Sequence, residues 1–144
     1  MTTIQRSALV GHTPAQMFDL VNDVEAYPRR FDWCSGASIL VPGKDEMMVR
    51  LDLRLGALRA SFTTRNTLVH PERIDIRLVE GPFRHLRGEW RFDPLGEAGT
   101  RVGLTLDFEF AGRLVGSALA RGFQGTANRM VDDFCRAARR VYAG

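Results

Sequence analysis

Cysteine is scarce in this chain of 144 residues. Its two thiols, Cys34 and Cys135, lie about a hundred positions apart, and neither belongs to a CxxC pair or to a cluster with histidines. Because redox pairs and zinc sites need closely spaced ligands, this spacing argues against both. We therefore expect two reduced, buried thiols and a protein that requires no metal.

Long apolar runs and low-complexity tracts are also missing. A membrane-spanning helix needs roughly 20 apolar residues, and the N-terminal stretch "MTTIQRSALV" lacks the basic start and apolar core of a secretory signal. With 44% hydrophobic and 26% charged residues, the composition is that of an ordinary globular domain. These features predict a single domain over residues 1–144 in the cytoplasm, and they leave open a peripheral position at the inner membrane.

Lysine is nearly absent, since Lys44 is the single lysine among twenty basic residues. The formal net charge is +3 and the sequence pI is about 9.4. Arginine can bind phosphate through two parallel hydrogen bonds, so the bias is compatible with RNA or an anionic membrane as a partner. Arginine-rich codon usage explains the same bias, and the arginines are scattered along the chain. Charge alone leaves both interpretations open.

Strong helix-start signals follow the first predicted strand, which covers residues 4–10. Thr13 is a candidate N-cap, Pro14 suits the first helical position, and Gln16 completes a capping box. Asp23 is a second candidate N-cap. It begins a single helical turn that Pro28 is expected to end, because proline disfavours helical backbone in the residue before it. Two short helices back to back are predicted.

Apolar and polar residues alternate through the middle of the chain. The clearest examples are "MVRLDLRL" and "RVGLTLDFEF", in which every second residue is apolar, as in a sheet covered on one face. The same phase places Leu58 on the inner face, together with two polar residues, Thr64 and Asn66. Short turns separate six such segments, which predicts an antiparallel meander.

The last thirty residues change period. From Leu114 onward, apolar residues recur every three or four positions, which predicts one amphipathic helix roughly 40 Å long. The order of elements then predicts an α+β helix-grip fold, a seven-stranded antiparallel curved sheet around a long C-terminal helix, with two short helices after strand 1. A cavity for a largely apolar small molecule between sheet and helix is one expectation. A solid core of interdigitated side chains is the other.

No motif in the sequence indicates an enzyme. The segment "HLRGE" does not have the HExxH spacing of zinc proteases, and the chain contains neither a GxSxG elbow nor a GxGxxG phosphate loop. Helix-grip cavities also host cyclases and hydrolases, but such an enzyme would need a titratable group inside the cavity. Thr64 and Asn66, the polar residues that the strand phase turns inward, are poor general acids or bases. We expect no catalytic residue.

Three spaced segments resemble a known family. "VNDVEAYPRRFDWC" resembles its helix-to-strand segment, "GPFRHLRGEWRF" its Gly-Pro-Phe signature followed by leucine and Trp-x-Phe, and "MVDDFCRAARRVYAG" the end of its closing helix. The family is the coenzyme Q-binding START-like proteins of the polyketide cyclase/START superfamily, which includes bacterial ribosome-association toxins and mitochondrial ubiquinone-binding chaperones. One departure is that Phe31-Asp32 replaces an apolar-Pro pair before Trp33-Cys34.

The resemblance implies a START-like, Bet v 1-like fold and non-enzymatic binding of ubiquinone or a similar isoprenoid lipid, in support of respiratory electron transport. As an alternative, it implies a toxin that binds the large ribosomal subunit and blocks subunit joining. No cofactor is required in either case. The expected cavity residues are Trp33, Leu51, Leu53, Phe62, Ile76, Leu78, Phe83, Leu86, Trp90, Leu106, Phe108, Leu119, Phe123 and Met130. The arginines expected to contact a ribosome or a membrane surface are Arg29, Arg30, Arg136, Arg139 and Arg140.

The Gly-Pro pair in the second segment interrupts the strand pattern. Gly81 and Pro82 are expected to reverse the chain between the fifth and sixth of the seven strands, where the missing N–H of proline does no harm. Phe83 then begins the new strand. Two interpretations of Phe83 remain: with Leu86 and Trp90 it forms a wall that contacts a quinone, or it packs the turn without a ligand.

Overall fold

The computed structural model describes residues 1–112 and 116–143. Strand β1 (Thr2–Val10) leads into helix α1 (Pro14–Asn22), a 3-10 turn (Val24–Ala26) and helix α2 (Tyr27–Arg30). Six strands and the long helix α3 follow: β2 (Cys34–Val41), β3 (Glu46–Leu55), β4 (Leu58–Val69), β5 (Arg73–Glu80), β6 (Phe83–Leu95), β7 (Gly99–Phe110) and α3 (Gly116–Val141). The start of this helix predicted at Leu114 lies outside the described residues.

All seven strands form one antiparallel sheet in the order β1-β7-β6-β5-β4-β3-β2. Strands β2 to β7 make the predicted meander, in which each strand pairs with the next one along the chain. The first strand pairs with the last, from Thr2 opposite Phe108 to Val10 opposite Thr100. The predicted α+β helix-grip fold is confirmed.

The core lies between one face of the sheet and α3. On β7, alternate residues from Val102 to Phe110 are buried, as the period of two predicts. On α3 the buried side chains, among them Phe123, Val131 and Phe134, recur at helical spacing. Each large apolar side chain removed from water in this way stabilises the fold by about 1.5–3 kcal/mol. No described helix is long and apolar enough to cross a membrane.

The segment after α1 differs in detail from the prediction. Pro28 does not end a helix but lies in the first turn of α2, where its missing N–H has no intrahelical partner to lose. The Asp23 side chain makes no capping hydrogen bond. It forms an ion pair with Arg30, at 3.1 Å between Oδ2 and Nη1. The turn begins directly after Asp23 as predicted, but the Asp23 carboxylate pairs with Arg30 instead of capping it. The assignment of Pro28 was wrong, because proline also suits the first turn of a helix.

Leu58 was assigned to the inner face, but 38% of it is exposed. It lies opposite Leu55 at the tip of the β3–β4 hairpin. Helix α3 passes directly over Leu55, because a Cβ added to Gly122 would lie 3.2 Å from the Leu55 Cβ. Leu55 is therefore buried, whereas Leu58 remains partly in contact with solvent.

The Gly81-Pro82 reversal is confirmed, since β5 ends at Glu80 and β6 begins at Phe83. A register shift then occurs between Phe83 and His85. This bulge lets both Phe83 and Leu86 point into the core, although a regular strand would place residues three apart on opposite faces.

The predicted capping box at the start of α1 is present. The Thr13 hydroxyl accepts from the Gln16 N–H at 3.1 Å, and the Gln16 side chain accepts from the Thr13 N–H at 2.9 Å. We expect Thr13→Ala to lower the free energy of unfolding by about 1 kcal/mol, because an orphan donor loses its partner. Thr13→Ser keeps the hydroxyl, so urea unfolding should return it to nearly wild-type stability. Equal stability of the two variants would contradict a capping role.

Candidate functional site

All fourteen predicted cavity residues lie on the inner side of the sheet or on the sheet-facing side of α3. The fully buried ones are Trp33, Leu53, Phe62, Phe83, Leu86, Trp90, Leu106, Phe108, Leu119 and Phe123. Leu51, Ile76, Leu78 and Met130 are partly buried and pack against the core. The structure therefore brings these residues together in one apolar interior.

Phenylalanine rings fill one part of this interior. Phe123 of α3 lies with its ring centroid 4.8 Å from that of Phe108, 5.2 Å from Phe83, 5.8 Å from Phe110 and 6.3 Å from Phe62. These are contact distances for aromatic pairs. In this phenylalanine cluster the side chains interdigitate around Phe123, which matches the solid-core expectation at this position. That any of them contacts a ligand stays a prediction.

A second aromatic group lies under the C-terminal half of α3. The Phe31 and Trp33 rings stack with centroids 4.9 Å apart, and Phe134 of α3 packs 4.7 Å from Phe31. Tyr27 packs against the same rings and donates its hydroxyl hydrogen to the Val21 carbonyl. Phe31, the apolar member of the pair before Trp33-Cys34, is thus held in this group by stacking.

An open cleft of about 770 Å³ runs between α3, the β3–β4 hairpin and the segment that links α2 to β2. We call it the arginine cleft, because six arginines line it. Its lining residues are Arg30, Phe31, Asp32, Trp33, Arg54, Leu55, Gly56, Arg121, Gly122, Gly125, Thr126, Arg129, Asp133, Arg136 and Arg140. With six arginines against two aspartates, the formal excess is four positive charges. Low-dielectric walls lined by one sign of charge concentrate the electrostatic potential, so the cleft favours anions.

Asp133 links the cleft to the aromatic group beneath it. Its carboxylate accepts a hydrogen bond from the Trp33 indole N–H at 3.1 Å and forms an ion pair with Arg136. The side chain of Asp133 is only 17% exposed. The aspartate therefore holds Trp33 and Arg136 in fixed positions on the cleft wall and neutralises part of the charge of Arg136.

The described residues offer little for catalysis or metal binding. Burial raises the pKa of both the Cys34 and the Cys135 thiol, so neither is a reactive thiolate at neutral pH. Thr64 and Asn66 are buried as predicted, and the Thr64 hydroxyl donates to the Asn66 side-chain carbonyl at 2.9 Å. The two polar side chains are therefore hydrogen-bonded to each other inside the core. Within residues 1–112 and 116–143, no group of three or more histidines, cysteines and acids could hold a metal ion.

The five arginines predicted to contact a partner lie near one end of the molecule. Arg29 and Arg30 are in the last turn of α2, and Arg139 and Arg140 are in the last turn of α3. Arg30, Arg136 and Arg140 line the arginine cleft together, whereas Arg29 and Arg139 do not. The fold thus brings two regions that are distant in sequence to one basic end.

Sequence reasoning missed Arg54, Arg121, Arg129 and Asp133. A signal for the two helical arginines was available, since Arg121 and Arg129 are eight residues apart and so lie within one quarter of the helix circumference. No sequence pattern marked Arg54 as a cleft residue, because the apolar/polar alternation of β3 shows only that its side chain faces away from the core. Asp133 was assigned to a solvated helix face, and its bond to Trp33 depends on how α3 packs over the segment that links α2 to β2.

Curated relatives match nearly the whole chain. A protein named ribosome association toxin RatA from Pseudomonas aeruginosa is 43% identical over 141 residues, covering 98% of both chains. A protein of the same name from Escherichia coli is 39% identical, covering 99% of this chain and 90% of the relative. A Xenopus laevis protein named mitochondrial coenzyme Q-binding protein COQ10 homolog B is 27% identical, over 94% of this chain and 57% of the relative.

Solved structures share the fold. The Zhui aromatase/cyclase from Streptomyces sp. R1128 superposes with a TM-score of 0.86 at 22% identity, covering 99% of this chain and 96% of that one. An 18 kDa protein from Caulobacter crescentus has a TM-score of 0.74 at 30% identity, with both chains covered completely. Residues 10–135 match the family described as polyketide cyclase / dehydrase and lipid transport. The resemblance found in the three sequence segments is confirmed, and the chain belongs to this START-like polyketide cyclase family.

Proposed function

We propose that this protein associates with the ribosome, binding the large subunit and blocking subunit joining without catalysing a reaction. The observation that carries the proposal is the convergence of arginines from α2, the β3–β4 hairpin and α3 on one cleft. Ribosomal RNA is a polyanion, and such a surface attracts it whatever its sequence. The names of the relatives from Pseudomonas aeruginosa and Escherichia coli support the same function. A ribosome-binding role implies that the protein acts in the cytoplasm.

Sedimentation with purified ribosomal subunits tests this proposal. The protein should co-sediment with large subunits, and its presence should lower the yield of joined ribosomes. Each phosphate contact releases condensed counterions, so the logarithm of the affinity should fall linearly as the logarithm of the salt concentration rises. With several contacts, we expect a loss of about 100-fold or more between 50 and 200 mM salt.

The magnesium concentration has to stay constant in this series, because subunit joining itself depends on it. Small subunits serve as the control particle with a similar surface of RNA. Binding that does not change with salt, or that is equal for the two subunits, would contradict the proposed function.

Ubiquinone binding, the function that the sequence analysis puts first, has less support than ribosome association. The relative named for coenzyme Q is 27% identical, and 57% of its length is matched. Three of the residues expected to line the cavity, Phe62, Phe83 and Phe108, pack with their rings around Phe123. Ubiquinone binding therefore stays a prediction, and organic extraction of the protein purified from its host, followed by identification of the lipid, tests it.

A further inference from the structure

We infer that the arginine cleft binds the sugar–phosphate backbone of RNA, with Arg54, Arg121 and Arg129 as the main contacts beyond the basic end. The inference rests on the proposed function and deepens it. It assigns a partner chemistry to a defined cleft and adds three residues that sequence reasoning missed.

The arginines of α3 form a row along one face of the helix. At 100° per residue, Arg121, Arg129, Arg136 and Arg140 fall within a sector of about 100°. At 1.5 Å per residue, the row from Arg121 to Arg140 extends about 28 Å along the helix axis. A single phosphate group would occupy only a small part of this row. Its length matches several successive phosphates of a nucleic-acid strand.

Much of this positive charge is not neutralised by the protein. Among the described residues, Arg54, Arg121, Arg129 and Arg140 form no ion pair, whereas Arg136 pairs with Asp133. Within the part of the chain that the structure describes, the Arg54 guanidinium donates from Nη1 to the Asp32 backbone carbonyl at 3.4 Å and makes no other side-chain hydrogen bond. These exposed guanidinium groups can therefore donate to phosphate oxygens with little loss of existing bonds.

Arg30 also lines the cleft, but its charge is paired. Its Nη1 atom lies 3.1 Å from the Asp23 carboxylate and is shielded from solvent. Because a shielded atom is out of reach of a phosphate, Arg30 adds positive potential to the cleft rather than a direct contact.

The shape of the cleft favours the backbone over the bases. The cleft is lined by three small residues of α3, which are Gly122, Gly125 and Thr126. An RNA strand can therefore approach the helix closely. The aromatic rings at its wall are not available for stacking, since Phe31 and Trp33 are only 5% and 8% exposed and stack on each other. Base recognition on single strands depends on exposed aromatic faces. Contacts in this cleft should therefore be independent of base sequence.

The test compares two triple variants of equal charge. The cleft variant carries Arg54→Gln, Arg121→Gln and Arg129→Gln. The control carries Arg65→Gln, Arg77→Gln and Arg87→Gln, which lie side by side on neighbouring strands and are exposed on the outer face of the sheet. All six positions are exposed, so both variants should keep the wild-type unfolding temperature.

Affinity for large ribosomal subunits is measured by sedimentation at several salt concentrations. We expect the cleft variant to bind about 10- to 100-fold more weakly, with a salt slope smaller by about 2 to 3, and the control to bind like wild type. If both variants lost the same affinity, the inference would be overturned, because binding would then depend on the net charge of the protein and not on the cleft. A loss confined to the control would overturn it in favour of the outer sheet face.

A second probe separates this inference from the proposed function. A short oligouridine is titrated while tryptophan fluorescence is followed, because Trp33 lies on the cleft wall and is bonded to Asp133. If wild type ignores ribosomal subunits but binds oligouridine in a way that the cleft variant loses, the cleft inference stands and the proposed function fails. If wild type binds subunits and the cleft variant binds both probes normally, the reverse holds.

Binding to vesicles of anionic phospholipid tests whether the cleft recognises the phosphate of lipid headgroups instead of the phosphate of RNA. We expect the cleft variant to lose RNA binding whether or not it binds vesicles. A cleft variant that loses vesicle binding and keeps RNA binding would overturn the inference and make the cleft a membrane-docking surface.

Discussion

Phe123→Ala is expected to lower the free energy of unfolding by about 3 to 5 kcal/mol, the range measured when a buried phenylalanine is truncated to alanine. The Phe123 ring is 3% exposed, and four other phenylalanine rings surround it with centroid distances of 4.8 to 6.3 Å. Truncation removes contacts with all of them and leaves a hole that a rigid sheet cannot close. Denaturant unfolding followed by circular dichroism measures the change.

Gln124→Ala is the matched control, because it removes a side chain from the next position of the same helix, where the residue is exposed. Its effect should stay within about 0.5 kcal/mol. A loss below about 1 kcal/mol for Phe123→Ala would contradict a packed interior, since a side chain that borders an open cavity gives up few contacts on truncation. Such a small loss would support the predicted ligand cavity instead of the solid core.

Gly81→Ala is expected to destabilise the protein by about 2 to 4 kcal/mol through backbone strain and overpacking. Gly81 has φ of +154°, and a Cβ built there would lie 2.6 Å from the Cβ of Phe62. Neither atom is at the end of a flexible side chain, so relief requires the β5–β6 turn or strand β4 to move. Thermal and urea unfolding of the purified variant measure the effect.

Gly11→Ala serves as the control for this substitution. No heavy atom lies within 4 Å of a Cβ at Gly11, and its φ is not positive. Alanine there should be neutral or stabilise the fold by about 0.4 to 1 kcal/mol, because it restricts the unfolded chain. If the two substitutions changed the free energy of unfolding by the same amount and in the same direction, the close approach to Phe62 would not be the reason that position 81 needs glycine.

Local patterns in the sequence were sufficient for most of the fold. The period of two in "RVGLTLDFEF" and the period of three to four after residue 116 each follow from the geometry of a single element, so no knowledge of its neighbours is needed. The capping box at Thr13 is local for the same reason. The sequence did not decide the position of Pro28, because proline is common both just after the end of a helix and in the first turn of the next one.

The site was less accessible to sequence reasoning. Three of the five predicted arginines line the arginine cleft, but Arg54 comes from a hairpin, and its side chain meets those of α3 only in the folded protein. Asp133 looked like a surface residue until α3 was placed over Trp33. The bulge that turns both Phe83 and Leu86 inward likewise has no marker in the residues themselves.

Apart from Leu58 and the bulge after Phe83, the sequence by itself determined which apolar residues are buried along the strands and the long helix, because side-chain direction follows from backbone periodicity and apolar groups leave water wherever they can. It also determined the helix-grip fold, since one long amphipathic helix is the element that covers a seven-stranded sheet. Only the tertiary structure decided that phenylalanine rings pack around Phe123 and that arginines from three elements meet in one cleft. Such contacts depend on distances between elements that are far apart in the chain, and no local pattern encodes those distances.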